Sequence, residues 1–246
     1  MTAQLIRYVT VHWVRLPEVV TPDSPLVCEQ PAGCLCWRLG VAGGPMGADG
    51  DRPPTNVWCG LGLFSDLESA ESTVDQPARY LSCLPQPIES WHALLLPVAY
   101  RGICNYVNGQ GSDLNYATAS PDPGGHLFII TSGGFDFGPE FDRTRPVNSR
   151  GYSDRDRGEL PPASGRVMSE YFTPPPADDA TTMSLWVSDE AMVKTMYGPG
   201  IHREEVDRFK REKSLDRTSF TRFRVLRARG RWDGVDPMDA ARIHGS

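Results

Sequence analysis

One histidine lies on the narrow apolar face of a helix that is otherwise charged. In the stretch IHREEVDRFKREK, residues 201–213, the residues His202, Val206 and Phe209 follow one another at helical spacing, so their side chains share a face. Such a histidine is either a core residue hydrogen-bonded to a carbonyl group or the ligand of a metal ion. The positive end of the helix dipole favours the neutral imidazole that a metal ligand requires. The residues alone leave both interpretations open.

The other four histidines are better explained as structural residues. His12 and His92 fall within strand-like stretches, His126 begins such a stretch, and His244 lies close to the last residue of the sequence. Motifs of other catalytic sites are absent from the sequence, which contains no G-x-S-x-G, no G-x-x-x-x-G-K-[ST], no H-E-x-x-H and no strand-to-helix G-x-G-x-x-G. His202 is therefore the leading candidate for chemistry.

The six cysteines predict neither a zinc site nor a disulfide framework. All lie in the first half of the chain, and the closest pair, Cys34 and Cys36, has one intervening residue instead of the two that are typical of zinc ligands. No second cysteine or histidine pair completes a ligand set. Because the sequence shows no export signal, we expect the cysteines to be small buried hydrophobic residues.

The composition is that of a globular protein. Of the 246 residues, 39% are hydrophobic and 23% are charged, and the formal net charge is −6. Because no block of basic residues is present, nucleic acid and anionic membrane surfaces are not expected partners. The apolar stretch QLIRYVTVHWV contains Arg7 and His12 and alternates like a strand, so we expect no membrane span. We expect a cytoplasmic protein.

Alternating apolar and polar residues predict seven strands, and capping residues predict the helices that follow some of them. The strands are expected at residues 5–14, 34–41, 56–64, 91–100, 126–133, 181–187 and 220–230. Ser65, with Glu68 three residues later, has the spacing of a capping box and predicts a helix start. Ser188 has the same role before a second helix, and the helix of His202 follows.

The order of strand, helix and strand occurs twice and predicts an α+β fold. Two ferredoxin-like β-α-β halves would form a dimeric α/β-barrel-type sandwich, with space for a ligand between sheet and helices. Residues 1–133 are expected to form the N-terminal half, and residues 181–246 the C-terminal half that carries the histidine helix. Residues 134–180 are rich in Pro, Gly and Arg and are expected to form a long loop or lid.

An ordered series of stretches resembles the spheroidene monooxygenase family, whose members are haem proteins of the dimeric α/β-barrel type. The resemblance covers roughly residues 34–234. It rests on CLCWRLGV, NVWCGLGLFSDLESAE, ESWHALLLPVAYRG, GGHLFIITSGGF, TTMSLWVSDEAMVKTMYGPGIHREEVDRFKRE and SFTRFRVLRARGRWDG. The fifth stretch resembles the family's strand, its helix and the Tyr-x-x-x-His helix after it, although four residues lie between Tyr197 and His202 here. The resemblance places His202 in the histidine helix.

The resemblance implies haem b bound without covalent attachment. His202 would be the proximal iron ligand, with Val206 and Phe209 beside it on the face toward the cofactor. Arg143, Arg145 and Arg38, together with Arg150 and Arg101, are the candidates to pair with the haem propionates. The distal side would come from the sheet, where Thr131, Ser132 or His92 could donate a hydrogen bond to a bound ligand.

The implied activity is that of a haem-dependent, monooxygenase-like oxidoreductase. The stretch EKSLDRTSF and the polar loop at residues 41–55 differ from the family pattern, so we expect a small organic substrate of specialised metabolism rather than a long carotenoid. A histidine-ligated haem lacks the thiolate that favours O–O cleavage. A haem-dependent dehydratase or N–O bond-transforming enzyme of the aldoxime dehydratase type is therefore an alternative, as are a non-catalytic haem-binding protein and a haem-free relative. A homodimer and a redox partner are compatible with each enzymatic reading.

Overall fold

The computed structural model describes residues 4–20, 28–42, 55–104, 107, 112–134, 165–173, 179–200, 203, 204, 206, 207, 211 and 217–244. The strands are β1 (Gln4–Ile6), β2 (Tyr8–Arg15), β3 (Cys34–Ala42), β4 (Val57–Phe64), β5 (Glu89–Gly102), β6 (Leu114–Tyr116), β7 (Leu127–Gly134), β8 (Arg166–Thr173), β9 (Asp179–Trp186) and β10 (Arg217–Gly230). The helices are α1 (Leu67–Asp75), α2 (Pro77–Tyr80), α3 (Asp189–Tyr197) and α4 (Pro237–His244). All seven predicted strands are present.

Eight strands form one closed barrel in the order β10-β5-β2-β4-β3-β8-β9-β7. In one half, β2 lies between β5 and β4 and pairs antiparallel with both, and β3 follows β4. In the other half, β7 lies between β10 and β9 in the same way, and β8 follows β9. Each half thus has the ferredoxin-like strand order, as the repeated pattern predicts. The pairs β5–β10 and β3–β8 close the barrel within a single chain.

Part of the predicted loop at 134–180 is a strand. Residues 166–173 form β8, in which Met168 and Phe172 are buried in the barrel core while the residues between them include Ser169 and Glu170. These polar residues weaken the apolar signal of the strand, so the sequence analysis missed it. The strand β7, which falls in the predicted N-terminal half 1–133, pairs with β9 and β10 of the other half.

The barrel interior is filled by apolar and aromatic side chains. Along β2, Val9, Val11 and Trp13 belong to the interior cluster, because alternate residues of a strand point to the same side. The Trp13 ring centroid lies 5.5 Å from that of Trp91 and 6.0 Å from that of Phe128. This packing leaves the outer faces of the barrel as the surfaces on which the helices lie.

The helices α1 and α3 cover equivalent positions on the two halves. The side chain of Asp66, rather than the predicted Ser65, accepts a hydrogen bond from the backbone N–H of Ser69 and caps α1. The prediction for the second helix is confirmed, since the hydroxyl of Ser188 accepts from the N–H of Ala191 at the start of α3. None of the described helices is long and apolar enough to cross a membrane.

A disulfide bond joins Cys28 and Cys83, so the expectation that no cysteine is paired is wrong. Their Cα atoms lie 5.3 Å apart, and they are separated by 55 residues in sequence. The expectation relied on the predicted cytoplasmic location, where disulfides rarely persist. It could not take account of the fold, which brings the chain before β3 next to the chain after α2. The remaining four cysteines are not part of a disulfide bond.

Candidate functional site

The outer face of the C-terminal half has three rows of side chains, one at each level along β10, β7 and β9. Arg224, Leu127 and Trp186 form the first row, and Arg222, Ile129 and Ser184 the second. Phe220 pairs with Arg101 of β5 on one side and with Thr131 of β7 on the other, and Thr131 pairs with Thr182. We call this last set, Arg101, Phe220, Thr131 and Thr182, the Phe220 row.

The helix α3 covers the first two rows. Met192 is buried against Leu127, Ile129 and Trp186, and Met196 packs at the edge of the same cluster beside Phe220. The Phe220 row is less covered, because Thr131 is exposed and Phe220 is only half-buried. The outer face is therefore apolar and closed under the start of α3, and accessible near its end.

Arginines border this face at both ends. The guanidinium of Arg101 lies 5.4 Å from the ring centroid of Phe220, and its Nη2 is 3.5 Å from the hydroxyl oxygen of Tyr197, the last residue of α3. At the opposite end, Arg224 is buried and donates two hydrogen bonds of 2.7 Å to Asp122 and one of 2.6 Å to Asp189. Arg222 also pairs with Asp189. Arg224 is thus committed to ion pairs, whereas Arg101 lies beside the accessible row.

The ion pairs explain the electrostatics of this end. The hydrogen bonds from Arg224 lower the pKa of Asp122 to about 2, because they stabilise its carboxylate form. Asp189 is the first residue of α3, where a negative charge also interacts favourably with the helix dipole. The network holds the start of α3 on the sheet and thereby fixes the end of the helix above the Phe220 row.

Most of the residues that the sequence analysis nominated for the cofactor lie outside the described residues. These are His202, Phe209, Arg143, Arg145 and Arg150. The described residues at 203, 204, 206, 207 and 211 are helical, in agreement with the predicted histidine helix, and Val206 is half-buried. Arg203 and Asp207 form an ion pair of 2.9 Å at the i, i+4 spacing of a helix.

The three candidates for the distal side occupy three different places. Thr131 lies on the outer face of β7, in the Phe220 row. Ser132 points into the barrel, where its hydroxyl lies 3.0 Å from that of Thr181 and is buried. His92 belongs to the outer face of the N-terminal half. The structure therefore leaves Thr131 alone beside the accessible face, and the alternation of side chains along a strand already predicts that two adjacent residues cannot share it.

Arg38 also lies in the N-terminal half. It is half-buried in β3 between Trp37 and Leu39, both of which pack on the outer clusters of that half. Alternation along the strand therefore points Arg38 toward the barrel interior. This placement separates Arg38 from the C-terminal outer face by the wall of the barrel.

The outer face of the N-terminal half contains a histidine pair that the sequence analysis did not propose. His12 of β2 and His92 of β5 are directly opposite each other, and their Nδ1 atoms lie 3.1 Å apart. Both side chains are buried beneath α1 and its neighbours. A signal for their shared orientation was present, since His12 lies between the interior residues Val11 and Trp13 in the same way that His92 lies between Trp91 and Ala93.

Both imidazoles are neutral near neutral pH. Burial is the main reason that the pKa of His12 lies well below its usual value, and the neighbouring His92 lowers it further. Burial, and to a lesser degree Arg229, lowers the pKa of His92 to about 4. Among the described residues, no group of three or more His, Cys, Asp or Glu side chains is placed to hold a metal ion.

A scan against protein-family models gives no match, and neither does a search of curated proteins. Among solved structures, the chain is similar to a candidate monooxygenase of Fusobacterium nucleatum subsp. nucleatum, with 10% identity, coverage of 94% of this chain and 97% of that chain, and a TM-score of 0.37. The chain is also similar to an aldoxime dehydratase, with 11% identity, coverage of 91% of this chain and 84% of that chain, and a TM-score of 0.49. It is similar to an anthrone oxidase-like protein with 9% identity, coverage of 96% of this chain and 98% of that chain, and a TM-score of 0.30. These values are too low to assign a family or an activity.

Proposed function

We propose that the protein is an oxidoreductase that acts on a small organic molecule by means of haem b bound at the Phe220 row, with His202 as the proximal ligand. The observation that carries the proposal is the accessible Phe220 row at the end of α3. His202 follows Tyr197, the last residue of α3, by five residues. Five residues span at most roughly 17 Å, so the imidazole is tethered close to this row.

The described residues of the row fit the chemistry of haem b, which is flat, largely apolar and carries two carboxylates. Phe220 offers an apolar surface, and Arg101 offers a guanidinium group beside it. A guanidinium pairs well with a carboxylate through two parallel hydrogen bonds. Val206 and Phe209, together with Arg143 and Arg145, remain predicted contacts. Arg38 is not part of the proposal because it belongs to the other half.

Haem supplies an iron that can bind oxygen species or a nitrogen–oxygen substrate, and the chain would determine which molecule reaches it. Thr131 presents its hydroxyl group on the sheet side of the row, where it can donate a hydrogen bond to a substrate oxygen or nitrogen. The guanidinium of Arg101 can hold an anionic group at the edge of the row. Met192 and Met196 of α3 pack on the neighbouring rows and exclude water from them.

Visible absorption of the purified protein after titration with haemin tests the proposal. The wild type should bind haemin near one equivalent and give a Soret band, whereas His202→Ala should give a weaker and shifted band. His92→Gln is the matched control, because His92 lies on the other half and should leave the spectrum unchanged. A Soret band that survives His202→Ala but is lost in the control would assign iron ligation to His92 instead. A folded wild type without any Soret band would refute the proposal.

The class of reaction needs a separate measurement. If the haem-loaded protein converts candidate substrates only with a reductant and oxygen, or with peroxide, it is an oxidoreductase as proposed. Turnover of an oxime under anaerobic conditions with loss of water would instead identify a dehydratase. Haem binding without turnover in any of these assays would leave a carrier or sensor.

A further inference from the structure

The guanidinium of Arg101 has no carboxylate partner among the described residues. It lies 5.4 Å from the ring centroid of Phe220, and its Nη2 is 3.5 Å from the hydroxyl oxygen of Tyr197. On the same outer face, the guanidinium of Arg224 is paired with Asp189 at 2.6 Å. The positive charge at the end of α3 is therefore not neutralised by the described residues, whereas the charge at its start is.

The contact between Arg101 and Tyr197 leaves both side chains able to bind a further acceptor. Its length of 3.5 Å exceeds that of an ordinary N–H···O hydrogen bond, which is about 2.9 Å. A guanidinium has several N–H donors and no acceptor, and the phenol O–H can also donate. Arg101 is exposed, and Tyr197 is 45% exposed. Two accessible donor groups thus lie close enough for the two oxygens of one carboxylate to accept from both.

Phe220 places a flat apolar ring between these donors and another hydroxyl group. Phe220 of β10 pairs with Arg101 of β5 on one side and with Thr131 of β7 on the other. Neighbouring strands lie about 4.8 Å apart, so the backbones of β5 and β7 are roughly 10 Å apart at this level. Thr131 is exposed, and Phe220 is half-buried. One aromatic ring that lies on Phe220 can therefore bridge the guanidinium on one side and the threonine hydroxyl on the other.

The chemistry of these groups defines the class of molecule that they would bind. A carboxylate matches the planar fork of the Arg101 guanidinium and is attracted by its charge. Lys194, in the last turn of α3, adds a second positive charge to this end of the helix. An aromatic ring packs favourably on Phe220. The hydroxyl of Thr131 can donate or accept, so it matches a polar substituent on the far side of the ring.

We propose that the substrate at the Phe220 row is an aromatic carboxylic acid. Its carboxylate binds Arg101 and Tyr197, its ring lies on Phe220, and a polar substituent on the far side of the ring contacts Thr131. This assignment names the substrate class of the oxidoreductase proposed above and rests on that function for the reaction, whereas binding of the acid requires no haem. Tyr197, which was not among the nominated residues, becomes a binding residue that recognises the carboxylate.

Titration of the haem-free protein with 4-hydroxybenzoate, followed by NMR of the 15N-labelled backbone amides, tests the site. The amide resonances of the Phe220 row should shift saturably. Arg101→Gln should weaken binding about ten-fold or more because the charge-assisted pair is lost, and Tyr197→Phe about three-fold because one hydrogen bond is lost. Arg227→Gln is the matched control, since Arg227 is also exposed but pairs with Asp75, and it should leave the affinity unchanged.

A neutral analogue shows whether the carboxylate is what the site recognises. The compound 4-hydroxybenzyl alcohol has the same ring and phenolic hydroxyl but no carboxylate, and it should bind at least about ten-fold more weakly than the acid. Equal affinity for the acid and the alcohol, wild-type affinity for the acid in Arg101→Gln, or no saturable shift in the wild type would each overturn the proposal. Haem takes no part in these titrations, so their failure is independent of the haem proposal.

A haem propionate offers the same carboxylate chemistry, and the haem-loaded protein distinguishes the two sources. If the acid occupies the site, 4-hydroxybenzoate should bind to the haem-loaded protein with the same loss of affinity in Arg101→Gln and should shift the Soret band. The proposal is overturned if saturating haemin abolishes binding of the acid and Arg101→Gln weakens binding of haemin but not of haemin dimethyl ester, because the propionate then occupies the site. If haemin does not bind, the haem-free titration decides alone.

Discussion

The outer faces of the two halves of the barrel differ in how they are covered, although their strands follow the same order. On the N-terminal face, α1 and α2 lie on the sheet, and His12 beneath them is 0% exposed. On the C-terminal face, α3 covers two rows and leaves Thr131 of the third row exposed. The barrel therefore has one enclosed outer face and one accessible outer face.

The polar groups of the two faces match this difference. The enclosed face contains uncharged imidazoles, a threonine and an indole, which can be buried at moderate cost when they are hydrogen-bonded. The accessible face has charged arginines at its borders, which remain near water or form ion pairs. The proposed haem b, which carries two carboxylates, suits the second environment. The two faces therefore differ in charge as well as in coverage.

The largest expected effect on stability comes from the disulfide bond between Cys28 and Cys83, which follows α2 on the N-terminal face. Replacement of both Cys28 and Cys83 by Ser should lower the free energy of unfolding by roughly 4 kcal/mol, because the bond closes a loop of 55 residues. Urea denaturation with and without reductant measures the change. Hydrogen exchange should rise in residues 77–84 and remain unchanged in α3. Equal acceleration of exchange in both halves would show that the two faces do not open separately.

The buried histidines make the enclosed face sensitive to acid. The pKa of His92 is about 4 in the folded protein and near 6.5 in the unfolded chain, so the unfolded chain binds the proton first as the pH falls. Stability should be fully present above pH 6.5 and decrease by about 3 kcal/mol toward pH 4. His12 acts in the same direction. Denaturant midpoints between pH 7 and 4.5 should change much less in a His12→Gln/His92→Gln double variant.

The C-terminal face depends instead on a buried arginine. Arg224→Met removes the main partner of Asp122 and one of the two arginine partners of Asp189, and it should lower the free energy of unfolding by about 3 kcal/mol at neutral pH. Arg203→Ala is the control, because it removes an exposed i, i+4 pair worth about 0.5 kcal/mol or less. The substitution at 224 should also raise the pKa of Asp122, measured by 13C NMR, toward that of a free carboxyl group. A stable variant with an unchanged pKa would contradict this account.

The fold could be predicted from the sequence because it depends on local patterns. Alternation located the barrel strands, and the hydroxyl of Ser188 located the start of α3. β8 was missed because Ser169 and Glu170 interrupt its apolar residues. The ferredoxin-like halves followed from the repeated order of strand, helix and strand, which requires no knowledge of long-range contacts.

The sites could not be predicted in the same way, because they depend on register. His12 and His92 are 80 residues apart in sequence, and only the pairing of β2 with β5 brings their Nδ1 atoms together. The pairing of Cys28 with Cys83 has the same origin. Thr131 and Ser132 were nominated together, although alternation along β7 places them on opposite faces. Local periodicity predicts which face of a strand a residue occupies, but strand pairing determines its neighbours on that face.

Substitutions at Thr131 and Ser132, two adjacent residues of β7, have the smallest expected effects on stability. They also distinguish the outer face of the strand from the barrel interior. Thr131→Val keeps the branched shape of an exposed strand residue, so the free energy of unfolding should change by less than about 0.5 kcal/mol. With haem and substrate bound at the Phe220 row, the lost hydroxyl should lower kcat/KM about ten-fold, which corresponds to about 1.4 kcal/mol.

Ser132→Ala is the matched control for Thr131→Val. It removes a buried hydrogen bond of 3.0 Å to Thr181 and should cost about 1 kcal/mol of stability while leaving kcat/KM nearly unchanged. Stability should therefore fall mainly in Ser132→Ala, and kcat/KM mainly in Thr131→Val. A loss of activity in Ser132→Ala without one in Thr131→Val would place the substrate inside the barrel and reverse the assignment of the accessible outer face.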